Sequence, residues 1–64
     1  MSVRRPSLAT TTEVAEYIQK PPRTLEQWRY RGAGPRWIKL ANREVRYRWT
    51  DVEKWLDDQY AAAA

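Results

Sequence analysis

Two consecutive prolines, Pro21 and Pro22, constrain this chain more than any other feature. Proline lacks a backbone N–H and pushes its predecessor out of the α region, so a helix cannot run on through Lys20-Pro21. The first turn of a helix nevertheless accepts proline, because the missing donor has no partner there. The pair therefore closes one helix and opens the next within a tight turn. The second helix has an equally sharp stop at Gly32, a residue suited to a left-handed C-terminal cap. On the helical period Leu25 and Trp28 fall on one side, and Arg23, Gln27 and Tyr30 on the other, flanked by Glu26 and Arg31. An outer face that mixes guanidinium, amide and phenol is suited to hydrogen-bonding the edges of bases.

The helix before the prolines starts at Thr10-Thr11-Thr12-Glu13, where Thr10 as N-cap and Glu13 three residues later form a capping box. It is predicted from about Thr11 to Gln19, with Val14, Ala15 and Ile18 facing inward. Its first amides and threonine hydroxyls serve either as a cap alone or as a ligand for a phosphate. Residues 1–9 lack a period and contain Pro6, so they read as a flexible arm; Arg4 and Arg5 there are either a frayed end or added phosphate contacts.

After Gly32-Ala33-Gly34-Pro35 the period changes. Arg36-Trp37-Ile38-Lys39-Leu40 and Val45-Arg46-Tyr47-Arg48-Trp49 alternate apolar with basic residues, which predicts a β-hairpin. Asn42 is the candidate for a left-handed turn position. Val45, Tyr47 and Trp49 share the inward face of the second strand, and Ile38 and Leu40 that of the first. Trp37, pointing outward, would cover the loop or the preceding helix. A second capping-box pattern, Thr50 with Glu53, starts a last helix that runs to about Gln59 or Tyr60, with Val52, Trp55 and Leu56 inward. Ala61–Ala64 either continue this helix for a turn or form a disordered or frayed tail.

These elements predict one mainly α domain over residues 10–60, ordered helix, helix, β-hairpin, helix. At 64 residues the core is small, and without cysteine or histidine it must hold by packing. The net charge of +4 is unevenly spread. Residues 20–48 carry nine basic side chains against Glu26 and Glu44, a balance of +7, whereas residues 49–64 balance to −3. Nine of the twelve basic residues are arginine, whose planar fork matches phosphate and guanine. This layout favours nucleic acid as a partner. No catalytic group is tuned near neutral pH, the carboxylates are explained by caps and a solvated helix end, and no phosphate loop is present, so neither an enzyme nor a cofactor or metal site is read here. No apolar run approaches the roughly 20 residues of a membrane span. Trp28, Trp49 and Trp55 fall at core positions, which weakens single-strand stacking as an alternative.

The ordered series Thr10-Thr11-Thr12-Glu13-Val14-Ala15-Glu16-Tyr17-Ile18, Pro22-Arg23-Thr24-Leu25-Glu26-Gln27-Trp28-Arg29, Gly34-Pro35-Arg36-Trp37-Ile38-Lys39-Leu40, Val45-Arg46-Tyr47-Arg48 and Asp51-Val52-Glu53-Lys54-Trp55-Leu56 resembles a known family. It is similar to the MerR-like winged-helix domain of phage excisionases and small excisionase-type DNA-binding proteins, over roughly residues 8–58. The resemblance implies a winged helix-turn-helix whose second helix enters the major groove of double-stranded DNA, with a wing contacting the neighbouring groove or backbone and a third helix behind it. Proteins of this type bind repeated attachment sites in phage DNA, bend the DNA and direct an integrase toward excision. Pro21 stands where the family usually has serine or a similar cap, and the wing tip lacks the glycine often found there.

On this reading Arg23, Thr24, Gln27 and Tyr30 contact bases, Thr24 through its place near the start of the helix. Asn42 and Arg43 form the wing tip. Thr11, Lys20, Arg31, Arg36, Lys39, Arg46 and Arg48 hold phosphates. The expected partners are double-stranded DNA, an integrase and further copies assembling cooperatively on DNA, from a chain that is monomeric alone. The expected location is the bacterial cytoplasm, at the nucleoid. A small winged-helix transcriptional regulator would need the same surface, and an interaction module docking through the acidic last helix is the reading from another class.

Overall fold

The computed structural model describes residues 7–63. Along the chain run β1 (Leu8–Ala9), α1 (Thr11–Ile18), α2 (Pro22–Arg31), β2 (Ile38–Lys39), β3 (Val45–Arg48) and α3 (Trp49–Ala63). The expected order of two helices, a hairpin and a third helix is present, with one added strand.

In α1 both halves of the capping box form: Glu13 N–H donates to Thr10 Oγ1 at 3.1 Å, and Thr10 N–H to Glu13 Oε1 at 2.9 Å. The helix ends at Gln19, whose φ of 63° turns the chain out of the α region. Lys20 N–H then closes onto Ala15 O at 2.9 Å. After the extended Pro21, α2 begins at Pro22 with no side-chain cap, and Thr24 N–H reaches Pro21 O at 3.0 Å. It stops at Gly32, and Ala33 N–H bonds Trp28 O at 2.7 Å.

The sheet has three antiparallel strands in the order β1-β3-β2. Leu8 and Ala9, expected in the arm, instead pair with Arg48 and Tyr47 of β3, and Ala9 is buried. A two-residue strand has no period to read, and its partner lies at the other end of the sequence. Arg4 and Arg5 lie outside the described residues.

The hairpin is shorter than its apolar-basic alternation. Ile38 faces Arg46 and Lys39 faces Val45, and Leu40 N–H bonds Glu44 O at 2.8 Å. Within the turn Arg43 N–H bonds Leu40 O at 2.8 Å. The left-handed position is Arg43, with φ of 70°, and not Asn42. Asn42 acts through its side chain, Oδ1 accepting from Glu44 N–H at 3.2 Å. Tyr47 is buried as the alternation requires, but Ile38 remains 39% exposed because β2 is a short edge strand.

Trp49 does not extend β3; it opens α3, which puts Thr50 inside the helix and not at its N-cap. Glu53 accepts the Tyr17 hydroxyl at 2.5 Å, tying α3 to α1. Of the two readings of the terminal alanines, Ala61–Ala63 take the helical one and continue α3, in keeping with alanine's helix propensity. Ala64 lies outside the described residues.

Ala9, Val14, Ala15, Leu25, Tyr47 and Val52 form the buried core, with Ile18, Trp28, Val45, Trp49 and Leu56 packed around it. Trp28 and Trp55 meet at 5.1 Å between ring centroids, joining α2 to α3. No helix of the described residues is long and apolar enough to cross a membrane.

Two backbone positions lead to stability predictions. Gly34 has φ of 82°, and a Cβ there would lie 2.8 Å from Cε3 of Trp28. Gly34→Ala should therefore lower unfolding stability by roughly 1–3 kcal/mol in urea titrations. Arg43→Gly removes a side chain from the left-handed region and should raise stability by about 1 kcal/mol, a melting shift of about 4–8 °C. A fall in melting temperature for this variant would refute the strain at the wing tip.

Candidate nucleic-acid interface

The helical period separates the two faces of α2. Leu25 is buried and Trp28 half-buried, while Arg23, Gln27 and Tyr30 are exposed, Tyr30 at 94%. This exposed phenol stands on the same face as an amide and a guanidinium. Glu26, Gln27, Tyr30 and Arg31 line an open groove along this face. Thr24 is half-buried at the start of the helix, off its outermost line.

The basic residues predicted for phosphate contact divide into several environments. Lys20, Arg31 and Lys39 are exposed on the inter-helix turn, the last turn of α2 and β2. The register puts Lys39 opposite Val45, next to the turn that carries Asn42 and Arg43, so these three gather at the tip of the wing. Arg46 is drawn back into the wing: Nη2 meets Glu44 Oε1 at 2.7 Å and Nη1 donates to Val45 O at 2.8 Å. Arg48 pairs with Leu8 at the far end of β3, and its Nε lies 3.9 Å from Asp51 Oδ2. Arg36 lines a recess shared with Asp51, Lys54 and Asp58. Local carboxylates thus offset Arg46 and Arg48, and those of α3 border Arg36. Lys20, Arg23, Arg31, Lys39 and Arg43 form no ion pair among the described residues.

Sequence reasoning passed over Arg29. It lies one turn beyond Leu25, at the edge of the inward face, and is half-buried. Its Nη1 donates to Thr11 Oγ1 at 3.1 Å and to the Tyr47 hydroxyl at 2.8 Å. Its Cζ lies 5.9 Å from the ring centroids of both Trp37 and Tyr47. The i, i+4 spacing from Leu25 was a visible signal, but an arginine in a strongly basic segment is readily read as surface charge. Thr11, assigned to phosphate, accepts this bond and retains its own hydroxyl hydrogen for donation.

The described residues contain no group of three or more His, Cys, Asp or Glu placed to hold a metal ion. The arrangement offers hydrogen-bond donors and acceptors on an exposed helix, with cations on the wing and inter-helix turn. Such a surface can follow a phosphate backbone while reading base edges.

A search of curated proteins found no match to the chain. A family model described as a helix-turn-helix domain matches residues 10–60, from the cap of α1 into α3. With that match spanning most of the chain and a wing following the two helices, the protein belongs to this helix-turn-helix family of DNA-binding domains, which includes excisionase-like proteins.

Proposed function

We propose that this protein is a sequence-specific architectural DNA-binding protein of the excisionase type. It binds and bends phage attachment-site DNA and directs an integrase toward excision, working at the nucleoid of the host cell. The observation that carries the sequence-specific part is the outer face of α2, where Arg23, Gln27 and Tyr30 are exposed together. Arginine can bond guanine O6 and N7 with two donors, and glutamine can pair with adenine N6 and N7. The cations at the wing tip, Lys39 and Arg43, supply a second point of attachment. A protein that holds DNA at two separated points can favour a bent duplex over a straight one. The excisionase reading within the family is supported by the ordered motifs from Thr10 to Leu56. Contact with an integrase is assigned to α3, whose residues 57–63 are exposed and include Asp57 and Asp58.

The site is recovered by selecting duplexes from a randomised pool. Arg23→Ala or Gln27→Ala should each cost about 1–3 kcal/mol on the recovered duplex and little on a scrambled one. Equal losses on both would remove direct readout. Arg43→Gly should weaken binding to every duplex and reduce the slope of log K against log salt by about 1. Arg46→Ala should change that slope less, because its guanidinium is occupied by Glu44 and Val45 O. The role itself is decided by excisive recombination in vitro, run with the integrase that acts at the recovered site. Excision that rises with added protein supports the proposal, and unchanged excision with the site in a promoter identifies a transcriptional regulator.

A further inference from the structure

The packing of α2 poses a mechanical problem that its apolar contacts do not solve. Leu25 is fully buried and Trp28 is half-buried against Trp55. Burial of its apolar stripe sets which face of α2 is inward, but because apolar contact is non-directional it fixes the rotation about the helix axis only coarsely. Base readout tolerates displacements of only about 0.5 Å and rotations of about 10–20°. A directional contact is needed, and Arg29 supplies one.

We infer that Arg29 is a positioning residue that fixes the rotation of α2 relative to the wing and so sets sequence preference, without touching DNA itself. The inference rests on the DNA-reading function proposed above. Three observations carry it. First, both hydrogen bonds from Nη1 leave α2 and end on different elements: Thr11 at the start of α1, and Tyr47 in the central strand. Second, the Tyr47 acceptor is held in the core, since the residue is 1% exposed and its strand is paired on both edges. Third, the guanidinium also lies beside Trp37, immediately before β2, so it touches the approach to one wing strand and the interior of the other. Leu25 and Arg29 are one turn apart on the same helix, so the apolar anchor and the polar one act side by side.

The bond to Thr11 adds a further consequence. Because Thr11 Oγ1 accepts from the guanidinium, the hydroxyl hydrogen is directed away from it and is available to an acceptor such as a phosphate oxygen. One side chain thereby sets three elements of the interface in register: the reading helix, the wing and the start of α1. A neutral residue of similar length would keep the apolar packing and lose the register. Lysine would keep the charge but not the planar fork, so it would donate along a different direction.

The test compares the wild-type chain with Arg29→Lys and Tyr47→Phe. Each is measured for thermal unfolding, for affinity to the duplex recovered from the randomised pool, and for affinity to a scrambled duplex of the same composition. The ratio of the two affinities is the informative readout, since a purely structural role would change unfolding and leave the ratio of the folded protein intact. Arg29→Lys should lower the ratio about tenfold while affinity for the scrambled duplex stays within about twofold. Tyr47→Phe, which keeps the charge and the burial and removes one acceptor, should lower it severalfold in the same direction. Footprints of both variants should lose protection on the wing side before the helix side. If Arg29→Lys does not fold, Tyr47→Phe decides alone. An unchanged ratio in the folded variants overturns the positioning role while leaving DNA reading in place. A wild-type chain that shows no preference between the duplexes overturns both.

Discussion

Tyr47 occupies the point on which the other elements converge. β3 is the central strand, with β1 on one edge and the wing strand β2 on the other, and Tyr47 is its buried residue. Its ring contributes the largest fully buried side chain of the core, alongside Leu25, Val14 and Val52. Burying a phenol is favourable only if its hydroxyl keeps a partner, because an unsatisfied buried polar group costs about 1–3 kcal/mol. The partner is the Arg29 guanidinium. The same bond also gives a half-buried cation an acceptor, so each group removes the penalty of the other. Together with the Arg29–Thr11 bond, that exchange ties the sheet, α2 and α1 to one another.

Charge is partitioned by the same geometry. A segment with a balance of +7 would repel itself if every cation stood in the open on so small a domain. Arg29 is turned inward, Arg46 is folded onto Glu44, Arg48 is drawn toward Asp51, and Arg36 shares a recess with the acidic side of α3. The two ion pairs among these, Arg46 with Glu44 and Arg48 with Asp51, contribute about 0–1 kcal/mol each, so their value lies less in stability than in deciding which cations remain available. Lys20, Arg23, Arg31, Lys39 and Arg43, which form no ion pair among the described residues, lie on the inter-helix turn, α2, β2 and the wing tip. Total positive charge therefore overstates the cationic surface left open to a partner, and local pairing refines it.

The parts of this fold that could be read from the sequence are those with local causes. The α1 cap, the proline turn, the Gly32 stop and the division of α2 into two faces each depend on residues within a few positions of one another. The β1·β3 pairing did not announce itself, because Ala9 and Tyr47 lie far apart in the chain. Thr50 and Glu53 had the spacing of a capping box, yet a helix entered directly from a strand had no use for it, and Glu53 took Tyr17 instead. At the wing tip, propensity pointed to Asn42 for the left-handed position, whereas the closing bonds at Leu40 and Arg43 put the strained residue one place later. The outer face of α2 was visible because exposure follows helical period. Arg29 was not, because its role depends on acceptors from two other elements.

The start of α2 shows how a missing local signal can be offset elsewhere. A serine at position 21 would bond a free amide and contribute about 0.5–2 kcal/mol. Pro21 makes no such side-chain bond. It does, however, remove backbone freedom from the unfolded chain, and each compatible proline contributes about 0.4–1 kcal/mol in that way. Pro21 sits at φ of −65°, close to the value its ring imposes, so this gain carries no opposing strain in the folded state. The two effects are of similar size, and the choice between them is decided by geometry. A serine cap leaves the turn free to vary its dihedral angles, whereas Pro21-Pro22 fixes where α1 ends and how α2 sets out. For the proposed base-reading role of α2, a fixed point of departure matters as much as a satisfied amide. The rotation that the prolines leave undetermined is the one assigned to Arg29: the turn sets the direction of α2, and the guanidinium, bonded to Thr11 and Tyr47, sets its roll.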